Sequence, residues 1–256
     1  MPGREMRLVV SLSNIRIVLV EPSHPGNIGG AARALKTMGL KRLYLVRPDR
    51  YPDPQAQWRA AGAQDVLEAT IVCEKLSEAI AGCHWVVGTS TRQRRIPWPA
   101  ADAESVAAQV LSAAQAGEVA IVFGRENNGL SNEELQRCHM HLQIPAYTGY
   151  SSLNLAMAVQ VVSYEIFKQA QATPVVEARW DRPPATSAEL EGLLAHFERV
   201  LVRGEFIDAG NPGQTLTRLR RMLTRMEADE TEVQMLRGIL SHLDRRSAGS
   251  RDGTGE

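Results

Sequence analysis

Apolar and polar positions along this chain fall into two regimes. Up to about residue 144, short apolar runs alternate with segments of helical period. The run at 15–20, Ile-Arg-Ile-Val-Leu-Val, is rich in β-branched residues and ends in Glu-Pro-Ser-His-Pro-Gly, the pattern of a buried strand feeding a loop. Similar runs stand at 43–46, 71–72, 85–88, 119–123 and 141–144. Between them the spacing predicts helices over 29–38, stopped by Gly39, and over 56–63, 76–81 and 103–116. Ser131-Asn-Glu-Glu134 has the S-x-x-E spacing of a capping box and predicts a short helix. The strands are apolar almost throughout, so the expected fold is α/β, with a mostly parallel sheet covered on both faces.

After an amphipathic helix at 153–170 the pattern changes. Residues 171–185 hold three prolines among mixed polar residues without a sustained period, which marks a linker. Thr186-Ser-Ala-Glu189 is a second capping-box match, opening a helix to Arg203, and helices at 214–226 and 233–242 follow the break at Asn211-Pro-Gly213. The expected organisation is a disordered leader at 1–13, an α/β domain at 14–170, the linker, a small all-helical domain at 186–246 and a disordered tail at 247–256.

Composition narrows the class only slightly. Lys+Arg and Asp+Glu both number 29, so any surface for a polyanion has to be local rather than global. Cys73, Cys83 and Cys138 are an odd number without C-x-x-C spacing, which fits a reducing cytoplasm better than a disulfide framework or a zinc knuckle. No apolar run approaches the length of a membrane span, and no membrane partner is expected.

Three segments carry candidate chemistry, each at a strand-to-helix junction, where open α/β sheets bind ligands. They are Asn27-Ile28-Gly29-Gly30-Ala31-Ala32-Arg33, Phe123-Gly124-Arg125-Glu126-Asn127-Asn128-Gly129-Leu130 and Ser151-Ser152-Leu153-Asn154-Leu155-Ala156. In the first, the spacing G-x-x-G-G departs from the dinucleotide fingerprint G-x-G-x-x-G, which weighs against a nicotinamide dehydrogenase. Its glycines are explained equally well by close approach of helix and sheet. Arg33 lies off the apolar stripe of Ile28, Ala31, Leu35 and Met38 and is expected in the first helical turn, near the sheet's edge. In the third, Ser151, Ser152 and Asn154 stand where caps are common, but capping accounts for one of them and not all three. Gly88-Thr89-Ser90 and Ile144-Pro145 end two further strands, so several segments could converge on one crevice.

These segments resemble the three motifs of the SpoU/TrmH group of SPOUT methyltransferases. Ser23-His-Pro-Gly-Asn-Ile-Gly-Gly, Gly88-Thr-Ser90, Arg95-Ile-Pro-Trp-Pro99, Gly124-Arg-Glu126 and Leu236-Arg-Gly-Ile-Leu240 are similar, more narrowly, to its tRNA (cytidine/uridine-2′-O-)-methyltransferases. The resemblance spans about 14–243. It implies a trefoil knot in the sheet, S-adenosyl-L-methionine as cofactor, a homodimer through the helix after Ser152, and a tRNA substrate methylated at cytidine or uridine 32 of the anticodon loop. Carried over by position, it assigns cofactor binding to Thr89, Ser90, Thr91, Gly124, Ile144, Ser151, Ser152 and Leu153. It assigns catalysis to Arg33, Glu126 and Asn154, with Ser152 at the methionine end of the cofactor. A guanidinium, with a pKa above about 12, is a poor base, so Arg33 is read as stabilising the 2′-oxygen, oriented by Asn154 and Glu126.

Further arginines fit phosphate contacts: Arg33 itself, Arg92, Arg94 and Arg95 before Ile96-Pro-Trp-Pro99, and Arg218, Arg220, Arg221 and Arg225 in the helical region. A solvated polar face is the plain alternative for both clusters. Cys138-His139-Met-His141 places two histidines on one side of a strand but offers three ligands without a fourth, so no metal is expected. Alternatives to the tRNA reading are methylation of another RNA or tRNA position, or a non-catalytic RNA-binding protein on this scaffold; DNA is not an expected partner.

Overall fold

The computed structural model describes residues 12–90, 98–147, 149, 152–172, 182–208, 210 and 213–249. Its first half is β1 (Ile15–Val20), α1 (Pro25–Thr37), β2 (Arg42–Val46), α2 (Pro54–Ala60), α3 (Gln64–Glu68), β3 (Ile71–Cys73), α4 (Leu76–Ile80) and β4 (Trp85–Thr89). There follow β5 (Ala100–Asp102), α5 (Ala103–Ala116), β6 (Val119–Phe123), α6 (Asn132–Gln136), β7 (Met140–Gln143) and α7 (Leu155–Ala172). Three helices complete the chain, α8 (Ser187–Arg203), α9 (Thr215–Met226) and α10 (Glu230–Gly249).

The strands form one sheet in the order β3-β2-β1-β6-β4-β7-β5, and all six pairings are parallel. Alternation along β1 explains why it is apolar on both sides: Ile15, Ile17 and Leu19 join the core under α1, α5 and α7, while Val18 and Val20 join a second core with Leu76, Ile80 and Leu135. A third, smaller core of Leu193, Leu194, Leu223, Val233 and Leu240 holds α8 to α10 together.

Two elements lie outside the sequence expectations. Strand β5 is three residues, Ala-Ala-Asp, on the sheet edge, with no apolar run to announce it. Helix α3 is one short turn without a side-chain cap. A third difference bears on the site. Helix α1 begins at Pro25, capped by His24, whose ring accepts from Gly26 N. Proline suits the first helical position because its missing N–H would have had no partner there. Gly26, Gly29 and Gly30 are therefore inside the helix and form no loop, and Arg33 stands in its third turn rather than its first. At the termini, Leu12 packs in the main core and α10 continues to Gly249, past the expected start of the tail.

The helical unit is tied to the sheet domain through main chain. Ser187 N donates to Cys83 O at 2.6 Å and Ala188 N to Ala81 O at 3.2 Å, so the first free N–H groups of α8 are satisfied by the turn between α4 and β4. Glu191, on the same helix, pairs with Arg137 at 3.4 Å and with Arg220.

Candidate active site

The C-terminal ends of three neighbouring strands, β6, β4 and β7, open into a pocket of about 450 Å³. Thr89 and Ser90 line it from β4, Phe123 and Gly124 from β6, and Leu142 and Ile144 from β7, with Ser152, Leu153, Leu155 and Ala158 opposite. Thr89 Oγ1 donates to Val122 O and Ser90 N to Leu142 O, fixing the end of β4 between its neighbours. The floor depends on Gly124. A Cβ there would lie 2.1 Å from the carbonyl carbon of Gly129, because the loop folds back so that Arg125 and Gly129 exchange backbone hydrogen bonds. Gly129 completes this turn with φ +65°.

Arg125 and Glu126 diverge from this loop. The Arg125 guanidinium takes Glu134 in a two-point pair, both contacts at 3.0 Å, and donates from Nε to Glu21 at 2.5 Å. Glu134 is also the acidic partner in the Ser131 capping box, so Arg125 clamps the loop to α6 and to the end of β1. Glu126 turns the other way. Its carboxylate accepts from Asn27 Nδ2 at 2.8 Å and from the backbone N–H of Ser23 and of His24 at 3.2–3.4 Å. Burial pushes its pKa up, but these donors prevail, Asn27 foremost, and hold the group below the usual glutamate value.

Asn154 connects the third segment to the same network. Its Oδ1 accepts from Ala156 N and Met157 N, capping α7, while its Nδ2 donates to Asn27 Oδ1 at 2.9 Å. Glu126, Asn27 and Asn154 thus form a continuous chain across three distant segments. Asn27 is the member that sequence reasoning passed over, although its position inside the first motif was available.

A second, open groove of about 910 Å³ lies on the far side of this chain of side chains. Ser23, His24, Asn27, Gly30, Arg33, Arg59, Asn154, Met157 and Gln160 line it, and Glu126 borders both the groove and the pocket. Arg33 is exposed at the groove wall. The expectation that Glu126 and Asn154 orient it is not met: among the described residues neither hydrogen-bonds the Arg33 guanidinium, because both are engaged with Asn27.

Of the remaining candidates, Thr91, Arg92, Arg94, Arg95 and Ser151 lie outside the described residues. Arg218 and Arg225 are exposed on α9, while Arg221 is half-buried. Arg220 is taken up by Glu191 and half-buried, and burial lowers its pKa to about 10. The histidines near β7 have structural partners: His139 Nδ1 accepts from Val86 N at 3.1 Å, and His141 lies 3.1 Å from Leu135 O and stacks on Trp98. Cys138 is fully buried, which pushes its thiol pKa far up.

A parallel sheet whose adjoining strand ends form one pocket, linked by a chain of hydrogen-bonded side chains to a groove bearing an exposed arginine, is an architecture with known relatives. Residues 14–164 match the SpoU rRNA methylase family, to which the chain belongs. Within it the branch is TrmJ: residues 188–252 match the C-terminal domain of tRNA methyltransferase TrmJ. The tRNA (cytidine/uridine-2′-O-)-methyltransferase TrmJ of Yersinia pestis strain Pestoides F is 46% identical, over 96% of this chain and 97% of its own. The tRNA (cytidine/uridine/adenosine-2′-O-)-methyltransferase TrmJ of Pseudomonas aeruginosa is also 46% identical, over 93% and 96%. The crystal structure of TrmJ from Z. mobilis ZM4 superposes with a TM-score of 0.79 at 34% identity, covering 90% of this chain and 98% of that one.

Proposed function

We propose that this protein uses S-adenosyl-L-methionine to methylate the ribose 2′-oxygen of cytidine or uridine at position 32 in the tRNA anticodon loop. One observation carries the reading: the strand-end pocket and the Arg33 groove are separate spaces that meet at Glu126, as a donor site and an acceptor site must. The kinship with TrmJ supports the tRNA substrate.

The pocket suits the cofactor in size, since small-molecule sites run from about 300 to 1,000 Å³. It also suits it in chemistry. Leu142, Ile144, Leu153 and Leu155 offer apolar walls for a purine, Thr89, Ser90 and Ser152 offer hydroxyls for its polar groups, and Gly124 lets the backbone come close. When bound, the cofactor supplies a methyl group on a positively charged sulfur. Arg33 presents a guanidinium to the acceptor oxygen and stabilises the negative charge that develops there as the hydroxyl proton leaves to water. Glu126 is a weak base, its lone pairs already committed, and acts by holding Asn27 and the Ser23–His24 backbone in place.

The test is transfer of labelled methyl from S-adenosyl-L-methionine to tRNA, with the modified nucleotide placed by mass spectrometry. Methylation of nucleotide 32 is the expected result; methylation elsewhere would redirect the reading to another RNA site. Arg33→Ala is expected to lose about 10²- to 10³-fold in rate while binding the cofactor as before. Wild-type turnover by that variant would remove Arg33 from the mechanism. Arg33→Lys should recover only part of the rate, because an ammonium lacks the planar fork.

A further inference from the structure

Helix α2 lines the groove through Arg59 and contains two residues that no motif singles out, Trp58 and Arg59. Trp58 is 81% exposed, the most exposed of the large apolar side chains described. Arg59 is exposed too, and its side chain lines the groove together with Arg33. Neither position is incidental to the packing. Ala56 and Ala60 face the core, so at about 100° per residue Trp58 points away from it and Arg59 lies on the flank beside α1. Asp53 caps the helix through Gln55 N at 2.8 Å, and Pro54 starts it.

The two helices approach so closely that a Cβ on Gly29 would lie 2.1 Å from Ala56 O and 2.9 Å from Arg59 Cβ. Gly26 likewise comes within 3.5 Å of Arg59 Cγ, measured from its own missing Cβ. Close packing therefore fixes the base of the Arg59 side chain against the same helix that presents Arg33. Glu126 is the one acid among the groove residues, and its charge is already spread over Asn27 and two backbone N–H groups. Among the described residues, the wall bearing Arg33 and Arg59 thus faces the groove with positive charge that no acid pairs. An exposed indole stands next to it on the outer face of α2.

We infer that Arg59 binds a phosphate of the RNA strand flanking the nucleotide whose ribose lies at Arg33, and that Trp58 stacks on an unpaired base of that strand. The inference rests on the RNA substrate proposed above. Its chemistry is that of single-stranded RNA recognition, in which cations follow the backbone and aromatic rings take splayed-out bases. An indole 81% exposed is free to take a base on its face.

The probe is a tRNA anticodon stem-loop, with binding measured without cofactor over a range of salt and methylation of full-length tRNA measured separately. Arg59→Ala is expected to weaken stem-loop binding about tenfold and to lower the salt slope by about one, with Arg59→Lys recovering part of the loss. In turnover it should raise KM for tRNA while kcat changes less than about twofold. Trp58→Ala is expected to weaken binding about 5- to 100-fold, with Trp58→Phe restoring most of it. Cofactor affinity should stay at the wild-type value in all four variants, which also reports that they fold.

Unchanged stem-loop affinity and salt slope in Arg59→Ala would overturn the phosphate contact. A Trp58→Ala protein with altered sedimentation but unaltered RNA affinity would assign the indole to a contact between protein copies and overturn the stacking role. If the wild-type protein binds the stem-loop and Arg59→Ala does not, yet neither methylates tRNA, the contact stands and the functional reading falls. Absence of any RNA binding by the wild-type protein overturns both.

Discussion

At the scale of single residues, the histidine-bearing segment in which no metal is expected contributes to the fold's acid sensitivity. The His139 ring is buried and accepts a hydrogen bond from Val86 N, while His139 N donates to Val86 O at 2.7 Å. Burial, with a smaller contribution from nearby His84, pushes the His139 pKa down to about 3 from an ordinary 6.5. The folded state therefore keeps this ring neutral where the unfolded chain would protonate it. The associated stability is fully present above about pH 6.5 and is lost as the pH falls toward the folded value, with a limiting slope of about 1.4 kcal/mol per pH unit. His84, whose pKa is lowered by its own burial, adds to the loss in the same direction. Denaturant unfolding between pH 7 and pH 4.5 is expected to show this fall, and His139→Asn, although less stable at pH 7, should show a shallower one. An identical slope in the variant would mean that other groups dominate.

At the scale of elements, α1 shows what a sequence reveals and what it conceals. Its apolar stripe is legible, and Ile28, Ala31 and Leu35 are fully buried as the spacing predicts. Its glycines are not, because G-x-x-G-G serves a loop or a crowded helix equally well. Here Gly29 admits α2 and Gly30 admits α7, whose Ala156 Cβ would lie 2.8 Å from an added methyl. Gly29→Ala is therefore expected to force the helices apart and destabilise the protein by about 1–3 kcal/mol. Gly238→Ala tests the argument in reverse. That glycine lies within α10, and a Cβ there would meet nothing within 4 Å, so the same substitution should stabilise by about 0.5–1 kcal/mol. Thermal unfolding of the pair distinguishes crowding from a general intolerance of alanine. The six strands other than β5 and the capping-box helices could be located because their signals are local. Strand β5 is made by its partner across the sheet edge, and the Glu126–Asn27–Asn154 chain exists only once three distant segments meet, so neither leaves a local trace.

At the scale of the whole molecule, two surfaces decide how the parts assemble. Helix α7 buries Val159, Val162 and Ile166 inward and still exposes Met157 and Tyr164, which is more apolar surface than its own domain covers. A homodimer through this helix is the expected outcome in sedimentation at micromolar concentration, and a monomer there would refute it. The joint between the sheet domain and the helical unit is different in kind, since beside the Arg137–Glu191 ion pair Ser187 and Ala188 hold the carbonyls of Cys83 and Ala81 with main-chain N–H groups. Its main-chain part is indifferent to side-chain identity. An alanine scan would report on the ion pair but not on this part of the joint, and the side chains at its four positions can change without loosening it. The substitution that can reach it is one that deletes an N–H. Ser187→Pro does so at the first position of α8, where proline leaves the helix intact, and Thr186, at φ −73° and ψ 160°, already has the backbone that a residue before proline prefers. We expect this variant to fold and to bind cofactor normally, while small-angle scattering records a wider spread of arrangements and KM for tRNA rises. Contacts written in the backbone would then explain how the two halves of the molecule can keep their relative aim while their sequences change.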